Sequence, residues 1–307
     1  EQIGHYLLLE EVGSGGQAVV WRARDLRTQQ DVAIKRPLPG FATNPDYIAR
    51  LHREAQILTG VDHPNVIKIL GHCNEEKGHA INNLHYLVLE FCPKDLDAVM
   101  GEAREKGERG LSILEAVRIA GEIALALDAV RSSEAIHRDI KPGNVLFDKD
   151  GGVKVTDFGV GREVTFSTST GTRSMVGTFG YMPPEGYRLE KADIRFDIWS
   201  LGITLFEMLT DGRPFRGTDA QIMHQVLEEE LPSIREIRPE VPEQLEKIIL
   251  KCLQKDRTLR YQTPRLLANA LERVLSPDMA DPDDTKDLPY SGPNLPSDPP
   301  PPPSPGS

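Results

Sequence analysis

The sequence predicts an α+β molecule of two lobes, the first built on strands and the second on helices. Three observations predict it. Residues 1–90 alternate short β-prone runs with turn signals and contain one strong helical period. After Pro93 the apolar spacing turns helical over long stretches. From Pro277 onward the composition changes altogether: 11 of the last 31 residues are Pro, which rules out a packed core there. A β-rich part followed by a helical part implies a cleft between the two.

In the first lobe, residues 6–11, 19–24 and 31–36 read as strands. Asn44-Pro45 opens a helix, because Asn is a good N-cap and Pro at the first helical position loses no hydrogen bond. Ile48, Leu51, Ala55 and Leu58 recur at helical spacing, and Gly60 ends the run. Strands at 66–71 and 85–91 follow. In the second lobe, residues 111–130, 196–209, 244–253 and 264–274 read as helices, the first apolar enough to be largely buried. Residues 145–147 and 153–155 read as a small hairpin turning at Asp150-Gly151-Gly152. The expected limits are a first lobe at 1–90, a hinge at 90–93 and a second lobe at 94–275. Residues 276–307 read as an acidic, then polyproline, disordered tail or linker. A passive tether is favoured there over a ligand for a proline-recognition domain.

Net charge is −11, and the segment from Pro277, with six Asp and one Lys, contributes −5 of it. The remainder is mildly acidic, which argues against a general nucleic-acid binder. The three cysteines, Cys73, Cys92 and Cys252, are too scattered for a disulfide framework or a zinc cluster, so a reducing cytoplasm is expected. No apolar run approaches the ~18 residues that span a bilayer. The chain begins with Glu1, which leaves open a longer parent protein with a membrane segment beyond residue 307.

The densest chemistry lies in His137-Arg138-Asp139-Ile140-Lys141-Pro142-Gly143-Asn144, with Asp157-Phe158-Gly159 following. Asp139 can accept a hydroxyl proton, Lys141 can meet a transferring phosphoryl group, and Asn144 and Asp157 can hold a metal. Upstream, Gly13-Ser14-Gly15-Gly16-Gln17-Ala18 precedes Val19, Val20 and Trp21. A glycine-rich run between two strands suits a loop that covers phosphates rather than one that opens a helix. Val32-Ala33-Ile34-Lys35 lies on the next strand, and Glu54 on the one helix.

In this order and spacing the motifs resemble the eukaryotic-like (Hanks-type) Ser/Thr protein kinase family, in particular its bacterial members, over about residues 6–275. The resemblance implies a two-lobed kinase fold and γ-phosphoryl transfer from ATP to Ser or Thr hydroxyls of proteins. Mg²⁺ is the implied cation, with Mn²⁺ the alternative. It assigns Asp139 and Lys141 to catalysis, and Asn144 and Asp157 to the metal. It assigns Val12, Gly13, Ser14, Gly15, Gly16, Gln17, Ala18, Val20, Ala33, Lys35, Glu54, Leu89, Glu90, Cys92, Asp95 and Leu146 to ATP. Within that set Lys35 pairs with Glu54, the Glu90 carbonyl and Cys92 N–H bind the base, and Asp95 reaches the ribose. Ala18 replaces the third glycine of the family loop, and the hinge is one residue shorter than usual. His137 reads as structural, packed on Phe158. Thr178 in the docking segment touches the catalytic Asp and Lys. Glu185 pairs with Arg260, and Asp197 holds the catalytic-loop backbone. Gly143, where a Glu would select a substrate Arg, implies no such selection. A pseudokinase scaffold and a small-molecule kinase of the same fold remain the alternatives.

Residues 165–174 carry seven hydroxyls. A phosphate there would pair with Arg138 and Arg162 and order the segment, with two copies of the chain meeting for trans-autophosphorylation. Thr170 and Thr172 are the leading acceptors. Incubation with Mg-ATP is expected to phosphorylate one of them in wild type and neither in Asp139→Asn, as read by mass spectrometry. Wild type without phosphate in 165–174 would end the self-activation model. Full activity after replacing both Thr by Ala would end the site assignment.

Overall fold

The computed structural model describes residues 1–72, 85–133, 135–158 and 179–275. Strands β1 (Gln2–Ile3), β2 (Tyr6–Ser14), β3 (Ala18–Asp25) and β4 (Asp31–Pro37) form an antiparallel run. Helix α1 (Pro45–Thr59) follows, then β5 (Ile69–His72) and β6 (Leu87–Glu90), which complete a sheet ordered β1-β2-β3-β4-β6-β5. The period-2 alternation of a strand decides what each face carries. On β4, Val32 and Ile34 join an outer cluster with Tyr6, Leu8, Ala23 and Val88. Ala33 faces the other way, into the main core with Leu87 and Leu89. Lys35 shares that face by register.

Helix α1 starts as its sequence dictates. Asn44 Oδ1 accepts from Tyr47 N at 3.0 Å, Pro45 takes the first position, and Gly60 closes the last turn. Its buried face carries Leu51, Ala55, Ile57 and Leu58, and also Glu54. The strand expected at 66–71 begins only at Ile69. Asn65 and Ile67, on either side of Val66, spend their backbone on the second lobe instead: Val155 N donates to Asn65 O at 2.8 Å and Ile67 N to Val155 O at 3.0 Å. Asn65 also donates to Glu122 Oε2 and to the Val153 carbonyl, both at 3.1 Å. This connection anchors the first lobe to the second.

Strand β7 (Lys94–Asp95) pairs with the hairpin of β8 (Val145–Phe147) and β9 (Val153–Val155). Between them in sequence lie α2 (Leu96–Glu105) and α3 (Ile113–Val130). Helix α3 is the spine of the second lobe, with Ile119, Ile123 and Leu127 fully enclosed. Helix α4 (Pro184–Tyr187) precedes α5 (Arg195–Thr210), which is buried along nearly its whole length. Helices α6 (Asp219–Glu228), α7 (Ile234–Ile237), α8 (Glu243–Cys252) and α9 (Pro264–Leu275) close the lobe, α9 lying along α3.

Glu185 and Arg260 meet as expected. Arg260 donates to both Glu185 oxygens, at 2.6 and 2.7 Å, and stacks over Trp199. Arg260 is fully buried, so removing its partner strands a charge in a low-dielectric interior. Glu185→Ala is expected to cost about 3–5 kcal/mol in urea unfolding. A loss under about 1 kcal/mol would mean that the pair adds nothing beyond a surface ion pair.

Candidate active site

The loop at residues 13–18 turns between β2 and β3, and Gly15 N closes it on Ala18 O at 2.8 Å. A Cβ built at Gly16 would meet nothing within 4 Å, so glycine there leaves the backbone open to an approaching ligand rather than relieving a clash. Ala18 begins β3 half-buried. Below the loop, Val20, Ala33, Leu89 and Leu146 belong to one apolar cluster, while Val12 at its edge is 47% exposed.

Glu90 engages its carboxylate with Lys68 N at 2.8 Å and Lys154 at 3.2 Å. Its contribution to a base would therefore come from the backbone. Burial, with Glu90 beside it, pushes the Cys92 thiol up to about 12, so the sulfur stays protonated and packs as a small apolar group. Asp95 Oδ1 caps α2 by accepting from Ala98 N at 2.7 Å.

At the centre Lys35 Nζ lies 2.9 and 2.8 Å from the two Glu54 oxygens and 2.7 Å from Asp157 Oδ1. One ammonium thus serves two carboxylates, one from α1 and one from the second lobe. Burial opposes the charge on Lys35, yet Asp157 and Glu54 together hold its pKa above the ordinary lysine range. Burial alone would raise Asp157 as well, but Lys35 outweighs it and holds that carboxyl below its usual value. Glu54 has no exposure. Burial pushes it up to about 7 against the pull of Lys35, with the Asp157 charge adding to the rise.

The catalytic loop hangs on Asp197, at the start of α5. Its carboxylate accepts from His137 N at 2.8 Å and Arg138 N at 2.7 Å. Burial pushes this carboxyl up, against His137 and those two donors. Arg138 and Asp157 both adopt left-handed backbone, with φ of 64° and 67°. Such non-glycine residues cost about 1–3 kcal/mol each, and the surrounding bonds hold them there. His137 is fully buried, meets the Thr156 carbonyl at 2.7 Å and sets its ring edge-on to Phe158. Its Nδ1 accepts from Asp139 N at 3.3 Å, so both ring nitrogens are engaged in supporting the loop.

Asn144 Nδ2 donates to the Asp139 carbonyl at 2.7 Å and to Asp139 Oδ2 at 3.0 Å. Lys141 Nζ reaches Asp139 Oδ2 at 2.8 Å. With its amide nitrogen committed, the Asn144 carbonyl oxygen is the atom that would face a cation shared with Asp157. An all-oxygen donor set of one amide and one carboxylate fits a hard divalent ion. Sequence reasoning missed Tyr47, a buried α1 residue that senses Lys35, Glu54 and Asp157. Its place seven residues before Glu54, on the same helical face, was the available signal. Gly159, Arg162, Thr170, Thr172 and Thr178 lie outside the described residues.

This arrangement, a strand lysine bridging to a helix glutamate, above a loop of Asp, Lys and Asn and a second-lobe Asp, defines the class. The protein kinase domain model matches residues 6–271, and the chain belongs to that family. It is 36% identical to the serine/threonine-protein kinase PrkC of Bacillus subtilis, over 85% of this chain and 39% of that protein. It is 34% identical to the serine/threonine-protein kinase PknB of Mycolicibacterium smegmatis, over 88% of this chain and 43% of that protein. The tyrosine-protein kinase MasK of Myxococcus xanthus is 33% identical, over 89% and 43%. The chain spans about two fifths of the length of these curated relatives.

The Glu54 shift has a sign that can be tested. Its pKa in the folded chain, about 7, exceeds the ordinary 4.5, so the stability it contributes is complete below pH 4.5 and is lost as pH rises through 7. Glu54→Gln removes that titration. Urea unfolding across this window should show wild type losing stability relative to the variant as pH rises. Parallel curves would contradict the shift.

Proposed function

We propose that the chain is an ATP-dependent Ser/Thr protein kinase, acting on protein hydroxyls and on its own hydroxyl-rich segment. One observation supports this above the others: Lys35, Glu54, Asp139, Lys141, Asn144 and Asp157 converge, and every cation among them rests on a carboxylate. Phosphoryl transfer needs alignment and charge neutralisation more than covalent help from the protein. On ATP binding, Lys35 keeps Glu54 and exchanges Asp157 for the α- and β-phosphates. Asn144 and Asp157 would hold a divalent cation, Mg²⁺ in this proposal and Mn²⁺ as the alternative, which would supply charge neutralisation at the phosphates.

Asp139 accepts the hydrogen of the incoming hydroxyl and aims its oxygen along the line of the breaking bond. Lys141 turns from Asp139 to the γ-phosphoryl oxygens as they move. The new bond joins hydroxyl oxygen to phosphorus, the bond to the β-phosphate oxygen breaks, and ADP leaves with that electron pair. Lys141 followed by Pro142 favours Ser or Thr acceptors, as do the names of PrkC and PknB, whereas MasK bears a tyrosine-kinase name. A pseudokinase reading lacks its usual motive, since none of the six residues is replaced. Residues 276–307 are proposed as a tether from a cytoplasmic domain. Among the described residues no helix is long and apolar enough to cross a membrane.

Asp139→Asn is expected to lower kcat about 10²–10⁴-fold with nucleotide affinity nearly unchanged. Asp157→Asn should instead weaken nucleotide binding in the presence of Mg²⁺. Phosphoamino-acid analysis of a generic substrate should return phosphoserine and phosphothreonine. Wild-type turnover by Asp139→Asn, or phosphotyrosine alone, would overturn the assignment.

A further inference from the structure

The tip of the 13–18 loop is tied to α1 by a side-chain contact between Gln17, one of the residues assigned to ATP, and Arg50, which is not. Arg50 Nη2 donates to Gln17 Oε1 at 3.2 Å, across 33 residues of sequence. The Gln17 carbonyl accepts from Leu38 N at 2.9 Å, so the tip is also held through its backbone. Arg50 stands one turn before Glu54, and Tyr47 three residues before Arg50, which places the three on one face of α1. The guanidinium lies over the Tyr47 ring at 5.7 Å. Its Nε is buried and meets no acceptor among the described residues. A planar group stacked on one side and partly desolvated has few alternative poses, so its bond to Gln17 is directional. Neither Gly15 nor Gly16 offers a side chain, so Gln17 supplies the side-chain tie between the tip and α1.

We propose that Arg50 and Gln17 form a strap that holds the glycine-rich loop down on bound nucleotide while α1 is seated with Glu54 on Lys35. The inference rests on the nucleotide reading of the loop. Arg50 is a positioning residue: it acts on the phosphates through Gln17. A helix that swings outward carries Arg50 with it, the tip loses its side-chain tie, and nucleotide leaves faster. Helix position and nucleotide residence time thereby become one variable, linked by a hydrogen bond between the side chains of the loop and the helix.

The test is stopped-flow release of a fluorescent ATP analogue with Mg²⁺ from the full chain. Gln17→Ala and Arg50→Ala should each speed release about three- to tenfold, the scale of one net hydrogen bond. The double variant should be no faster than the faster single, because both break the same contact. KM for ATP should rise by more than kcat falls. Arg50→Lys should restore part of the effect. Gln17→Glu, which turns the hydrogen bond into an ion pair, should slow release, but only while Arg50 is present. Amide exchange over residues 13–18 in nucleotide-free protein should quicken in Arg50→Ala. Unchanged release and exchange in that variant, or additive effects of the two singles, overturn the strap. A wild type that binds no nucleotide sinks the kinase reading instead, and the exchange comparison then still decides the strap.

Discussion

One ammonium group between two carboxylates organises this molecule. Lys35 comes from the sheet, Glu54 from α1 and Asp157 from the second lobe, and each would be costly to bury alone. Together they fix the position of α1 against the sheet and of the first lobe against the second. One positive charge for two negative ones leaves the site short of cations. In the proposed mechanism a divalent metal meets that shortage and Lys35 is released to phosphate.

Around this triad the scaffold supplies rigidity from places remote from the chemistry. Asp197 grips two consecutive backbone N–H groups and so forces Arg138 into left-handed backbone. The same tension appears in Asp157, the other left-handed acid of the cleft. Arg260 and Glu185 lock the segment after residue 179 to α5, with Trp199 stacked on the guanidinium. Asn65 and Glu122 stitch the α1–β5 connection to α3 and β9. Each is a buried polar contact whose members come from distant parts of the chain, which makes the cleft geometry depend on the whole fold.

Much of this was legible in the sequence because the chemistry constrains residue type. Lys35, Asp139, Asn144 and Asp157 stand in runs whose order leaves few other readings, and Asn44-Pro45 announces α1. The strand limit at 66 was not legible. Val66 and Ile67 are β-prone, but this stretch bridges to Val155 of the second lobe rather than to the first-lobe sheet, and local propensity cannot see a contact between lobes. Asp95 carries a second signal that went unweighed. An Asp just before an apolar run is an N-cap signal, and the structure uses it so, whereas the resemblance directed attention to the ribose. Thr218 and Gln221 form a capping box that opens α6, another signal present but not weighed. The Arg50–Gln17 contact carries no sequence signature, since both residue types are ordinary on a surface.

The central claim is that Lys35 trades Asp157 for phosphate and keeps Glu54. A crystal structure of the chain with Mg²⁺ and a non-hydrolysable ATP analogue tests it most directly. The account predicts Lys35 Nζ within about 4 Å of both a Glu54 oxygen and an α- or β-phosphate oxygen, with Asp157 turned to the metal. A Lys35 still bound to Asp157 and touching no phosphate would contradict it.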